Sequence, residues 1–467
     1  MATKRKLTKK IIKVTSLLLR YSALLYVLVL VPAIAQIGGP AILSRGGLQR
    51  GTGGSSDLFS IQPFAHIGGV YQEGLTPPVL EDGTTIPNWS STAANATFGA
   101  LGYHRWSRSL LGLGYQGGYR YNTRRQARNL NGVSHSLVLG FTHQPTRRLS
   151  FSLTEVAGIS PRAVNGISGL PVGRLGGFGL GQSLTDPNFN EVPEEDLIDT
   201  RTTFLSSGGD LTFQKSARLS FHAGATGFTV HRRGAGLAGV TGYSARGDVA
   251  YILGRNSTIG VNYGYVNYGF NRAFGNSNAH ILALNYSRRM GRRWNGSMRA
   301  GMYRLEFLST QQVALDPVIA AILGQRSATE VLYGITYGSI FGGTLNGNFQ
   351  RSGVAFSYMR GIMPGNGIYL TSVVDRLSAS YSYRGLRTWR VGAGAMISQL
   401  SARTQQLPHF RRYGIHANGS RRILDWLHFT SAAGVRRNEV SGRFRRDTWF
   451  VSAGFGFSPG EIPVSLW

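Results

Sequence analysis

Cysteine is absent from all 467 residues, so neither disulfides nor cysteine-ligated metals hold this chain together. Lysine is nearly absent too. Beyond Lys13 there is only Lys215, and every other side-chain cation is arginine. Acids are scarce, 21 against 50 cations, which gives a formal charge of +29. Long apolar runs are missing as well. The run Tyr21–Val31 has 11 residues, short of the roughly 20 that a membrane-spanning helix needs. What stabilises the fold must therefore come from somewhere other than cross-links or a helical membrane bundle.

Several kinds of chemistry are also missing. There is no HExxH, no P-loop and no G-x-S-x-G. Gly176-Gly177-Phe178-Gly179-Leu180-Gly181 has the glycines of a phosphate loop without a strand-to-helix context, and loop flexibility accounts for it better. His135 and His143 share a strand face but stand eight residues apart, too far for one metal. No metal site and no cofactor are expected. A strongly basic chain raises nucleic acid as a partner. Here the arginines are spread over turns and strand faces, and no helix-turn-helix, zinc-finger or RNA-binding pattern appears, so nucleic acid is not expected.

The N-terminus argues for export. Six cations from Lys4 to Lys13 precede Arg20 and the apolar run, and Pro32-Ala33-Ile34-Ala35 supplies an A-x-A cleavage site with Gln36 as the first mature residue. Residues 1–35 are expected to be a signal peptide. Removing them takes away seven cations and leaves +22. Residues 36–59, rich in Gly, Ser and Arg, are expected to be a flexible periplasmic lead-in. Residues 60–467 make up the remaining domain.

Within that domain the dominant signal is period two. Leu377, Ala379, Tyr381 and Tyr383 alternate with Arg376, Ser378, Ser380, Ser382 and Arg384. After Gly385-Leu386-Arg387-Thr388, Trp389, Val391, Ala393, Ala395 and Ile397 alternate with Arg390, Gly392, Gly394 and Ser398. This predicts two antiparallel strands. The apolar face carries aromatics near the turn and the other face is small, polar or cationic, as in a membrane barrel with a polar lumen. The unit recurs through Leu137–Leu153, Ile252–Tyr265, Leu282–Met302, Ile415–Val435 and Trp449–Phe457. It predicts about 18 strands of roughly 10–14 residues, near the length a tilted strand needs to cross a bilayer. The 64 glycines and 21 tyrosines suit such a β-rich chain. Barrel closure supplies the stability that missing disulfides do not, because every strand edge is paired.

Short basic turns alternate strictly with longer connections in this reading. Arg147-Arg148, Arg292-Arg293 and Arg421-Arg422 mark the short, periplasmic end, and connections such as 159–199 and 361–370 the outer end. Ten of the 21 acids gather in the longer connections. The run Glu191, Glu194, Glu195, Asp196 and Asp199 reads first as a solvated outer loop. A loop folded into the lumen against arginines, or a divalent-cation site at Ca²⁺ or lipopolysaccharide, comes second. Alternation places Arg120, Arg299, Arg376, Arg384, Arg390 and Arg436 in the lumen, with Asp248 or Asp375 as inward acids able to neutralise them. The final alternation stops near Phe457. Either Phe457 ends the last strand, or Glu461–Trp467 extends it past a Pro459-Gly460 bend.

The Tyr-Ser-Arg-Arg type of turn, the stretch Met363-Pro364-Gly365-Asn366-Gly367-Ile368-Tyr369-Leu370-Thr371-Ser372 and the ending Ser458-Pro459-Gly460-Glu461 resemble porin-like bacterial outer-membrane β-barrels, some associated with exopolysaccharide systems. The resemblance covers most of the mature chain and implies a barrel in the outer membrane of a Gram-negative bacterium. Its partners would be outer-membrane lipid, lipopolysaccharide and the barrel-insertion machinery. The function expected is passive passage of small solutes through an arginine-bearing lumen with an anion preference. The alternatives are a barrel for exopolysaccharide export or assembly, and a barrel enzyme.

Overall fold

The computed structural model describes residues 58–74, 90–123, 131–160, 202–233, 237–314, 316, 320–322, 324–325, 327–365, 367–403, 407–440, 444–459 and 462–465. The first nine strands are β1 (Leu58–Glu73), β2 (Ser90–Arg105), β3 (Ser109–Asn122), β4 (Gly132–Thr146), β5 (Leu149–Ser160), β6 (Thr202–Gln214), β7 (Leu219–Arg232), β8 (Gly239–Gly254) and β9 (Ser257–Asn271). The next nine are β10 (Gly275–Met290), β11 (Trp294–Ala314), β12 (Ser327–Asn348), β13 (Ser352–Met363), β14 (Ser372–Tyr383), β15 (Trp389–Ala402), β16 (Phe410–Arg422), β17 (Leu427–Val440) and β18 (Phe444–Phe457). A short β19 (Ile462–Ser465) follows. Sequential strands from β1 to β18 pair antiparallel. β1 joins β2 along one edge and β18 and β19 along the other, so the sheet closes on itself as an 18-strand up-and-down barrel.

β19 settles how the chain ends. Ala65 pairs with Phe457, whereas Ile61 pairs with Ile462 and Leu58 with Ser465. The last strand thus resumes at Ile462 with one extra residue and completes the described seam along the start of β1. Closure satisfies the backbone along this edge, which lipid would otherwise leave unpaired at high cost.

Side chains sort by face as the alternation predicts. Leu137, Leu139, Leu211, Val261, Leu282, Leu284, Met298, Leu377, Val391 and Val451 are all exposed on the outer face. Rings cluster near both ends of this belt. Trp294 meets Phe349 edge-on at 5.6 Å and Trp426 meets Phe457 at 5.6 Å beside the short turns, and Tyr71 meets Trp449 at 5.0 Å near the other end. An apolar band between aromatic girdles is the outer surface of a bilayer-spanning barrel.

Pairing also shows that the strands are inclined. The lumen-facing row Arg390, Ser420, Thr430, Gly454, Gly68, Asn95, Arg120 connects directly paired residues from β15 round to β3. It begins beside the β14–β15 turn and finishes at the opposite end of β3. Rows of hydrogen-bonded neighbours therefore climb obliquely across the wall, as strand tilt and shear require.

Two expectations need correcting. Connections at the long-loop end are not uniformly long. β9 and β10 are joined by Arg272-Ala273-Phe274, and β17 and β18 by residues 441–443. The first is tight enough to hold Arg272 at φ 68°, a left-handed conformation that costs a non-glycine residue about 1–2 kcal/mol. The second correction concerns Asp375. It shares the face of Leu377 and Tyr358 and points outward, where Arg360 holds it at 3.2 Å. It does not neutralise lumen arginines.

Candidate functional site

The lumen face is where this barrel can act on a solute. Along β14–β18 it carries a row of directly paired residues: Arg376, Ser398, Arg412, Asn438 and Arg446. Alternate strands thus present an arginine roughly 10 Å from the next, with Ser or Asn between and no carboxylate in the row. Arg412 Nε donates to Asn438 Oδ1 at 3.2 Å, which fixes that guanidinium along the wall. Arg446 Nε donates to the Gly74 carbonyl at the end of β1. The polar wall continues across β1–β3. His66 Nε2 lies 2.8 Å from Thr430 Oγ1, passing over Gly454, where a side chain would collide with the imidazole. Arg120 Nε and Ser91 Oγ both donate to Asn122 Oδ1, at 3.3 and 2.9 Å.

The opposite side of the lumen is occupied by the chain itself. At its far end β13 parts from β12, while β14 stays paired with β15 as far as Ser372↔Ala402. Of the tip between β13 and β14, Ile362, Met363, Tyr369, Leu370, Thr371, Ser372 and Val373 are buried, and Thr371 Oγ1 donates to Ser277 Oγ on the lumen face of β10 at 2.6 Å. Ala238 N, between β7 and β8, donates to Gly367 O at 3.0 Å, and Tyr369 donates from its hydroxyl to Pro408 O, between β15 and β16, at 2.6 Å. Two apolar clusters seat the hairpin. Ile362 and Val373 join Tyr303, Leu305, Phe307 and Ile340 of β11 and β12. Met363, Tyr369 and Val374 join Leu400 and Phe410 of β15 and β16. The hairpin tip is therefore a wedge inside the barrel, touching walls on two sides.

Two glycines make the wedge sterically feasible. Gly365 has φ +70°, and a Cβ there would overlap the carbonyl oxygens of Tyr369 and Leu370. Gly367 has φ +94° and lies against the Arg232 side chain, whose Nη1 donates to Ala238 O at 2.8 Å. Nearer the short turns the lumen face opens, and Ser380, His416 and Asn418 are exposed.

Charge is divided between the two faces of the wall. Among the described strand residues, Asp210 and Asp248 point inward and Glu330, near the start of β12, has inward parity, whereas Glu73, Glu155, Glu306, Asp375, Glu439 and Asp447 point outward. Asp210 on β6 meets Arg246 Nη2 on β8 at 2.5 Å, across Gly224 of β7, where a Cβ would overlap the carboxylate. Asp248 accepts from Asn262 Nδ2, and Asn262 in turn accepts from Arg299 Nη2. The outward acids pair outward, Asp447 taking two bonds from Arg437 at 2.6 and 3.1 Å.

The six arginines singled out in the sequence distribute as follows. Arg120, Arg299, Arg376, Arg390 and Arg436 take the lumen face, and Arg384 lies in the β14–β15 turn at the short-turn mouth. Arg376 belongs to the arginine row; the others are dispersed. The acidic run Glu191, Glu194, Glu195, Asp196 and Asp199 lies outside the described residues. Arg412 and Arg446, which complete the row, were not singled out. Their parity with His416 and Ser452 was a usable signal. Among the described residues, no three His, Asp or Glu side chains come together as a metal site.

Fold and surface together define a closed, membrane-spanning β-barrel with a polar, arginine-lined lumen. A scan of protein-family models finds no match, and a search of curated proteins finds no relative. Among solved structures the chain is similar to a BenF-like porin from Pseudomonas fluorescens, at 10% identity and TM-score 0.43, covering 85% of this chain and 98% of that one. It is also similar to Pseudomonas aeruginosa OccK9, at 13% identity and TM-score 0.42, covering 85% and 98%, and to OccK2 from the same organism in complex with glucuronate, at 11% and 0.41, covering 85% and 98%. None of these matches bears on exopolysaccharide systems.

Proposed function

We propose that this chain is an outer-membrane channel for small polar solutes with a preference for anions. The observation that carries the reading is the division of charge. Arginines line the lumen while most described wall carboxylates face outward. An 18-strand barrel leaves an aqueous interior. The wedge narrows it from one side and leaves the β14–β3 wall as the polar boundary of the path. Arginines facing such a path favour anions, and in a wet lumen they stay charged without the cost they would meet in lipid. Salt screens this field, so the preference is strongest at low ionic strength. Short turns face the periplasm and long connections the outside.

Reversal potentials across planar bilayers in a KCl gradient test the preference. Wild type is expected to be anion-selective, and Arg376→Ser with Arg412→Ser to move toward neutrality. A cation-selective wild type, or an unchanged double variant, defeats the reading. Orientation is tested on whole cells with an impermeant thiol reagent, which should label Glu194→Cys and not Arg147→Cys. The chain's lack of cysteine keeps the background clean.

A further inference from the structure

The barrel wall has one incomplete seam. β11 and β12 pair from Trp294↔Gly347 to Ala314↔Ser327, yet β12 and β13 pair only from Asn348↔Gly353 to Phe341↔Arg360. Beyond that point β13 stays with β14 as far as Met363↔Ser372 and moves away from β12. Among the described residues, no strand pairs with the edge of β12 from Ser327 to Ile340.

The wall overlaps itself here. By alternation Ile362 and Val373 belong to the outward face, with Tyr358 and Leu377. They are nevertheless 3% and 1% exposed, and they share a buried cluster with Tyr303, Phe307 and Ile340 from the lumen face of β11 and β12. The outer face of the hairpin therefore lies against the inner face of its neighbour, like one board lapped behind another. Tyr303 and Phe307 cover Gly338 and Gly334 of β12, so rings form much of the inner surface of the lap, beside Thr336 and Ser309. Backbone hydrogen bonds close every other described seam of this barrel. Here side-chain packing and the Thr371–Ser277 bond close it.

Outward charges lie beside the foot of the lap. Arg304 pairs with Glu306 on β11, and Arg360 with Asp375 on β13 and β14, next to the outward Met302 and Leu377, while Tyr337, Ile335 and Tyr333 remain exposed on the outer face of β12. An unpaired strand edge is not tolerated bare in hydrocarbon, and these ion pairs supply polar partners where the β12–β13 ladder ends. We propose that the lap is a lateral gate, which admits the apolar chain of an amphiphile from the surrounding leaflet between β12 and the hairpin. The head group stays among the paired charges at the foot of the lap, and the chain replaces packing made by Ile362 and Val373. This goes beyond the channel reading and does not depend on it.

The test uses the full chain in phosphatidylcholine vesicles with a photoreactive alkyl diazirine amphiphile. Ser277→Cys with Thr371→Cys places two thiols where hydroxyls now lie 2.6 Å apart, so oxidation pins the hairpin to β10. Peptides carrying Ile340 and Ile362 should be labelled in the reduced protein and at least fivefold less in the oxidised one. Labelling of the outward Met298 should be the same in both. Gly365→Ala, which loosens the tip, serves as a second variant and should raise labelling at Ile362 at least twofold. Labelling confined to the outward belt, equal labelling of both redox states, or no rise in Gly365→Ala would overturn the gate. Ion current from the same preparation reports the channel separately, so failure of one reading is not mistaken for failure of the other.

Discussion

Thr371 donates its hydroxyl to Ser277, a residue 94 positions earlier in the chain, and both are fully buried inside the barrel. This bond ties the tip of the β13–β14 hairpin to the far wall. Thr371→Val keeps the shape and removes the donor, leaving the Ser277 hydroxyl buried without it. The expected loss is about 1–2 kcal/mol. It is read as a lower urea midpoint in vesicles, together with noisier single-channel current.

Gly365→Ala attacks the same tip through its backbone. The positive φ and the carbonyl oxygens of Tyr369 and Leu370 leave no room for a methyl group. The wedge should be displaced while the barrel still forms. Conductance is expected to rise at least twofold, with the heat-modifiable mobility of a folded barrel retained on gels.

Asp210 moderates the lumen field through Arg246. Asp210→Asn removes an inward carboxylate that is ion-paired to a lumen arginine. Anion preference should increase, more at low salt than at high. The measurement is the reversal potential; no change would mean the pair does not face the conducting path.

Glu155 is an exception in the lipid-facing belt. It sits between Leu153 and Ala157, and Ser207 donates to it at 2.5 Å. A carboxylate at that position is costly, and a single hydroxyl offsets little of the cost. Glu155→Leu is expected to stabilise the barrel by about 1–2 kcal/mol in a urea titration. A loss instead would indicate that another protein surface covers this spot.

Ala393 and Ser380 lie on nearby strands and opposite faces. Ala393→Arg should cost about 2–4 kcal/mol near the bilayer midplane, and Ser380→Arg, in the open part of the lumen, much less. Equal losses on unfolding would contradict the assignment of faces.

Most of the architecture could be read from the chain because it is written in period two. Leu377 and Tyr381 alternating with Arg376 and Ser380 determine both the strand and its lipid face, and a single register carries that information around the barrel. Two features could not be read this way. The tip 363–372 has the glycines of any tight connection, and nothing local says that it turns inward; only its distant contacts with Ser277 and Pro408 do. The early end of the β12–β13 ladder is a tertiary choice between backbone pairing and the apolar lap. Asp375, by contrast, follows period two: it has the outward parity of Leu377 and pairs with Arg360 on the neighbouring strand. Arg412 and Arg446 are harder to place from sequence. Each sits within three residues of a strand start, where alternation is weakest as a guide.

The oblique course of paired rows has a consequence for anything moving through this lumen. Arg376, Arg412 and Arg446 are neighbours around the circumference, but because the row climbs, they are also neighbours in depth. An anion handed from one guanidinium to the next would turn about the barrel axis as it advanced, following a screw rather than a shaft. Its potential along the axis would be a flight of shallow steps. No single arginine would hold it strongly enough to stop it.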